Sequence, residues 1–141
     1  MNDLPTEEVL EAYIDGGSRG NPGPAGLGVY FPGLVSISEY LGTQTNNFAE
    51  YSALIAAAQF AVTRRCTALK IYSDSELVVK QVRGEYKVRN ENIRPLYERA
   101  CGWIGLIPSF SIEHVRREFN KDADGLANDA MDARAHAMTW E

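Results

Sequence analysis

The chain changes character at residue 46. Before it, short alternating segments are separated by glycine- and proline-rich turns. Residues 11–16 (EAYIDG), 25–31 (AGLGVYF) and 35–42 (VSISEYLG) read as three strands, the first ending in the turn DGGSRGNPGPAG, the last two joined at Pro-Gly. After it, residues 47–64 (NFAEYSALIAAAQFAVTR) run without glycine or proline, and Phe48, Ala49, Ala53, Ala56, Ala57 and Phe60 recur at helical spacing. Three strands with tight turns suggest an antiparallel meander. A helix following it must return the chain to the same sheet. Residues 68–73 then read as a strand, 75–83 as a short helix stopped by Gly84, and 93–106 as a helix with Pro95 in its tolerant first turn. Residues 110–116 read as a fifth strand and 121–137 as a last helix with Leu126, Ala127, Ala130 and Met131 as its apolar stripe. The expected architecture is α/β: a five-stranded mixed sheet, meander plus parallel strands, flanked by helices.

Length and composition limit what such a domain does. At 141 residues it is one domain that buries a core without disulfides or structural metal. Residues 1–10 are expected to be a short extension and 11–141 the domain. No apolar run approaches the roughly 20 residues of a membrane span, and the opening MNDLPTEEVL, acidic and without a basic residue, is not a secretory signal. Cys66 and Cys101 have no CxxC spacing and no nearby histidine pair, which argues against zinc and fits a reducing cytoplasm. The net charge of −5 is segregated: residues 63–121 hold 12 Lys and Arg against 7 Asp and Glu, while the rest of the chain holds 2 against 12. A basic middle suits a polyanion, although such asymmetry also arises on surfaces with no partner.

Four acids sit where strands end or helices begin: Asp15, Glu50, Asp74 and Asp124. Each has a local explanation. Asp15 suits a turn before Gly16-Gly17, and Glu50 suits a capping box opened by Asn47. Asp74 suits an N-cap and Asp124 a helix N-terminus. Together they suggest more. Asp15 and Asp74 end strands expected to be neighbours, at the carboxyl ends where open sheets bind ligands. Carboxylates packed there repel one another unless a counter-ion is present. Oxygen donors without His or Cys select Mg2+ or Mn2+ rather than zinc.

The segments YIDGGSRGNPGPAG, TNNFAEYSALIAA, IYSDSELVVKQVRGEYKV and HVRREFNKDADGLANDAM occur in this order over most of residues 12–132. Together they resemble type 1 ribonuclease H. The resemblance implies the ribonuclease H-like fold and endonucleolytic cleavage of the RNA strand of RNA–DNA hybrids, leaving 5′-phosphate and 3′-hydroxyl ends. It implies two Mg2+ ions, with Mn2+ as a substitute, held by Asp15, Glu50, Asp74 and Asp124. Asp15 would bridge the ions, Glu50 and Asp74 hold one, and Asp124 help hold the other. It further implies hybrid contacts from Gly16, Ser18, Asn21, Asn46 and Asn47, and a DNA-phosphate contact from Thr45. One of Asn46 and Asn47 is expected to cap the helix while the other binds. A cytoplasmic monomer is expected.

The chain departs from many bacterial members. The loop before the last helix is short and lacks their histidine; His114 reads as a strand residue, and Arg117 stands where some short-loop members use arginine. As a fixed cation, Arg117 would hold phosphate or assist product release but not act as a base. Glu76 replaces a substrate-contacting glutamine, which weakens or alters that contact. The Lys- and Trp-rich substrate handle is missing; residues 83–99 hold 5 basic and 3 acidic residues. Competing readings are a silent hybrid- or RNA-binding module, which four intact acids disfavour, and another nuclease of the superfamily, which NNFAEY and SDSELVV disfavour.

Overall fold

The computed structural model describes residues 8–141. Strands β1 (Val9–Ser18), β2 (Gly23–Phe31) and β3 (Val35–Gln44) form the antiparallel meander. Helix α1 (Asn46–Thr63) carries the chain to β4 (Ala68–Ser73), which lies parallel to β1. Helices α2 (Glu76–Val82) and α3 (Arg94–Ile104) precede β5 (Ser109–His114), parallel to β4. A 3-10 turn at Arg117–Phe119 leads into α4 (Lys121–Ala133), and β6 (Ala137–Trp140) closes the order β5-β4-β1-β2-β3-β6.

Among the described residues the sheet therefore has six strands, not five. Residues expected to extend the last helix to 137 instead turn away from it. Arg134 takes a left-handed conformation (φ 51°) at the end of α4, and the chain then pairs antiparallel with β3. Glycine is the usual residue for such a stop, and its absence makes the break hard to read from sequence. Of the expected N-terminal extension, residues 1–7 lie outside the described residues, while Val9 and Leu10 belong to β1.

The two faces of the sheet are covered by different helices. Leu10, Ala12 and Ile14 of β1 alternate onto one face with Leu27, Val29 and Phe31 of β2. There they pack with Tyr51, Leu54, Ala57, Ala58 and Ala61 of α1. Alanine on that flank lets the helix lie close to the strands. Gly16 shows how close: a Cβ there would sit 2.2 Å from the carbonyl oxygen of Ala49. On the other face, α4 approaches β2 as tightly, and a Cβ on Gly28 would lie 2.2 Å from the carbonyl oxygen of Ala123. Each approach brings a helix that bears one of the four acids onto the sheet.

Candidate active site

β1 has an antiparallel neighbour on one side and a parallel one on the other. Ile14 pairs with Ser73, so the residues that follow, Asp15 and Asp74, emerge side by side. Glu50 joins them from the first turns of α1. One carboxylate oxygen from each of Asp15, Glu50 and Asp74 lies within 4.8 Å of the others, and all three side chains are half-buried. Asp124 is exposed and stands outside this group, but it shares a hydrogen bond with Asp15.

Acids so placed resist ionisation. Burial, then the charge on Asp74, the hydrogen bond with Asp124 and the charge on Glu50 push the Asp15 carboxyl up to about 8. Burial pushes Glu50 up to about 7, against a hydrogen bond from Ser75 and the positive field of Arg117. A divalent cation would replace the protons and cancel the repulsion. The donors are all carboxylate oxygens, so the cluster suits a hard cation.

The surrounding residues are arranged as follows. Ser75 caps α2, accepting from the Val78 N–H at 3.2 Å, and also reaches Glu50. α1 is capped by Thr45, whose hydroxyl accepts from the Phe48 N–H at 3.1 Å. This corrects the expectation that Asn46 or Asn47 serves as the cap. The Asn46 backbone N–H donates to Asn21 Oδ1 at 3.0 Å, which ties the β1–β2 turn to the start of α1. Gly16 faces the α1 backbone, so its missing side chain makes room for the helix that carries Glu50. Ser18 Oγ is buried without a hydrogen-bond partner among the described residues. Glu76 is held by Lys80 at 2.8 Å, and this pairing keeps its carboxyl below the usual range. Lys80 also donates to the Tyr86 hydroxyl at 3.2 Å. Arg117 opens the 3-10 turn, and His114, as expected, ends β5.

Sequence reasoning missed two residues here. Arg19 pairs with Asp132 at 2.6 Å and donates to Asn128 at 3.3 Å, fastening the β1–β2 turn to α4. Asn120, fully buried, donates from Nδ2 to the Ile14 carbonyl at 2.9 Å and to Asp74 Oδ2 at 3.3 Å. These links join distant parts of the chain and leave no periodic trace in it.

A mixed sheet with an acidic cluster at the junction of its parallel and antiparallel parts is the architecture of a ribonuclease H-like protein, with three acids placed for metal binding. The chain belongs to the type 1 ribonuclease H family. Residues 33–130 match the family described as "Reverse transcriptase-like". The chain is 42% identical over 135 residues to the bifunctional protein Rv2228c of Mycobacterium tuberculosis, covering 92% of this chain and 36% of that one. It thus spans about a third of the length of its curated mycobacterial relatives. The structure of ribonuclease H1 from Halobacterium salinarum superposes with a TM-score of 0.85 at 38% identity, covering 89% of this chain and 99% of that one. LC11-RNase H1, solved in complex with an RNA/DNA hybrid, gives a TM-score of 0.81 at 34% identity, covering 89% and 98%.

Proposed function

We propose that the chain is a metal-dependent endoribonuclease that cleaves the RNA strand of RNA–DNA hybrids. The observation that carries this reading is the convergence of Asp15, Glu50 and Asp74 within 4.8 Å at the sheet junction. Asp15, Glu50 and Asp74 would hold a divalent cation, with Asp15 shared with a second ion that Asp124 would help hold from α4. Two bound Mg2+ ions, with Mn2+ as a substitute, would supply an activated water and a stabilised leaving oxygen. The residues fit that role because their donors are all oxygen and their charges are uncompensated.

The protein's own task is to bring the scissile phosphate to these acids and to recognise the strand. Asn21 and Asn46 are linked at the mouth of the site, beside Asn47, with Thr45 at the head of α1. Amide groups there suit the RNA 2′-hydroxyl, which is both donor and acceptor. Against DNA an amide buried at this edge loses its partner, at about 1–3 kcal/mol each. Arg117, whose field reaches Glu50, supplies a fixed cation for phosphate near the site. In this reading Gly16, Ser18 and Glu76 line the same surface. The catalytic domain expected at 11–141 begins with β1 at Val9 and acts in this reading as a cytoplasmic monomer.

The test is cleavage of end-labelled RNA–DNA hybrid, duplex DNA and single-stranded RNA with Mg2+, followed by a hybrid carrying one 2′-deoxy substitution walked along the RNA. Only the hybrid should be cut, leaving 5′-phosphate ends. A short window of deoxy substitutions beside the scissile bond should block cutting. Binding without cleavage would identify a silent module. Equal tolerance at every deoxy position would remove the asparagines from strand recognition.

A further inference from the structure

Asn120 has no exposed surface, and its side-chain oxygen has no hydrogen-bond partner among the described residues. The orientation of the amide is fixed by its neighbours. Nδ2 faces two acceptors, the Ile14 carbonyl at 2.9 Å and Asp74 Oδ2 at 3.3 Å, which use both of its hydrogens. The flipped amide would set oxygen against oxygen at both places, so the unpartnered atom is Oδ1. The backbone of Asn120 is committed as well. Its N–H donates to the Arg117 carbonyl at 2.9 Å, and its carbonyl accepts from the Asp124 N–H at 3.1 Å. One residue therefore touches the backbone before Asp15, the carboxylate of Asp74 and the helix turn that bears Asp124.

A buried amide oxygen without a donor is rare in folded proteins and calls for a water or ion nearby. Among the described residues, no side chain or backbone group supplies the donor. The neighbouring acids are a place where water would be bound and polarised. Resting on the cation reading of the acid cluster, we propose that Asn120 is a positioning residue of that site. Its Nδ2 ties Asp74 Oδ2 to the Ile14 carbonyl and so orients the carboxylate that the cation would engage. Outer partners of this kind orient ligands and tune affinity without touching the ion. The tie to Ile14 gives the arrangement a rigid reference, because that carbonyl belongs to a central strand. Asn120 would thus register α4 and β4 against β1, which fixes three of the four acids relative to one another.

The experiment uses the wild-type chain first. MgCl2 is titrated while the Asn120 side-chain amide signals and the carboxyl signals of Asp15, Glu50 and Asp74 are followed by NMR. The Asn120 signals should shift with the same midpoint as the carboxyls. Carboxyl shifts at saturation with a still Asn120 amide would overturn the proposal and leave the cation reading standing. No cation-dependent shift anywhere would remove both. Asn120→Ala is then compared by calorimetric Mg2+ titration below its melting temperature. The dissociation constant should rise about ten- to a hundredfold, and kcat should fall while KM for the hybrid is little changed. A lower melting temperature with unchanged Mg2+ affinity would show Asn120 to be a structural clasp only.

Discussion

α1 and α4 reach the sheet from opposite faces by the same device, and the acids they carry end in different surroundings. Each helix presses a backbone carbonyl to within 2.2 Å of the place where a glycine lacks its Cβ, Ala49 over Gly16 and Ala123 over Gly28. α1 has 18 residues, a Thr45 cap and a buried flank that includes Tyr51, Leu54, Ala57 and Ala61. Glu50 is consequently half-buried against Asp15 and Asp74 before any cation arrives. α4 has 13 residues, no side-chain cap and a left-handed end, and its Asp124 is exposed. Close approach to a sheet therefore does not by itself determine the environment of an acid. What determines it is how much of the helix is anchored in the core beside it. In the proposed reaction the α1 side is the built half of the site and the α4 side the adjustable half.

The strongest way to break the comparison is to remove the acid that both helices face. Asp15→Asn should reduce hybrid cleavage to less than about a tenth of wild type, since a catalytic group acting in the transition state contributes far more than that. It should also stabilise the metal-free protein. The folded Asp15 carboxyl is raised from an ordinary 3.8 to about 8, so the folded chain keeps a proton that the unfolded chain releases. That contribution is complete at pH values below the ordinary carboxyl range and is lost as pH rises through about 8. Thermal melts in EDTA between acid and alkaline pH should show wild type falling toward high pH and Asp15→Asn falling less. Equal slopes would mean that Asp15 does not carry the strain.

A smaller effect separates the helices. Gly16→Ala and Gly28→Ala each force a backbone to move, at about 1–3 kcal/mol for overpacking. Gly16→Ala should lower the melting temperature more, because α1 is anchored in the main core. Gly28→Ala should act chiefly through Asp124, and excess Mg2+ should restore more of its activity than that of Gly16→Ala. The same loss and the same rescue in both variants would erase the distinction between the two halves.

The smallest effect is expected at Arg117, which belongs to neither helix. Arg117→Ala should reduce cleavage less than any carboxylate substitution and should shallow the salt dependence of hybrid binding by about one unit of slope. Normal activity with an unchanged slope would make it a surface residue.

Much of this was legible in the chain because it is written at short range. The alternation of β1 to β3, the alanine-rich run of α1 and the end of β4 before Asp74 each follow from a few adjacent residues, whereas β1, expected to end at Asp15, runs on to Ser18. The pairing of Ile14 with Ser73 then makes neighbours of two acids that were expected to be neighbours. Other features depend on what a residue meets after folding. Arg134 ends α4 without a glycine, so residues 134–137 read as more helix and β6 was not expected. Thr45 displaced the asparagines from the cap. Gly16 looked like a turn residue, yet it lies within β1 and the space its Cβ would take is filled by α1. Asn120 carried no signal in the sequence, because its side chain reaches β1 and Asp74 rather than its own helix.

The last strand has a bearing on how the domain can be tethered. β6 runs antiparallel to β3, from Ala137 beside Ser38 to Trp140 beside Val35. β3 heads toward the acid-bearing end of the sheet, so β6 heads away from it, and Glu141 donates its N–H to the Leu34 carbonyl beyond the end of that pairing. At the start of the described residues, Val9 enters β1 on the same side, far from Asp15. Both attachment points thus lie away from the cleft, like the handle of a tool whose blade points the other way. A linker, an affinity tag or a second folded unit joined at either end would leave a long, stiff duplex free to approach the acids.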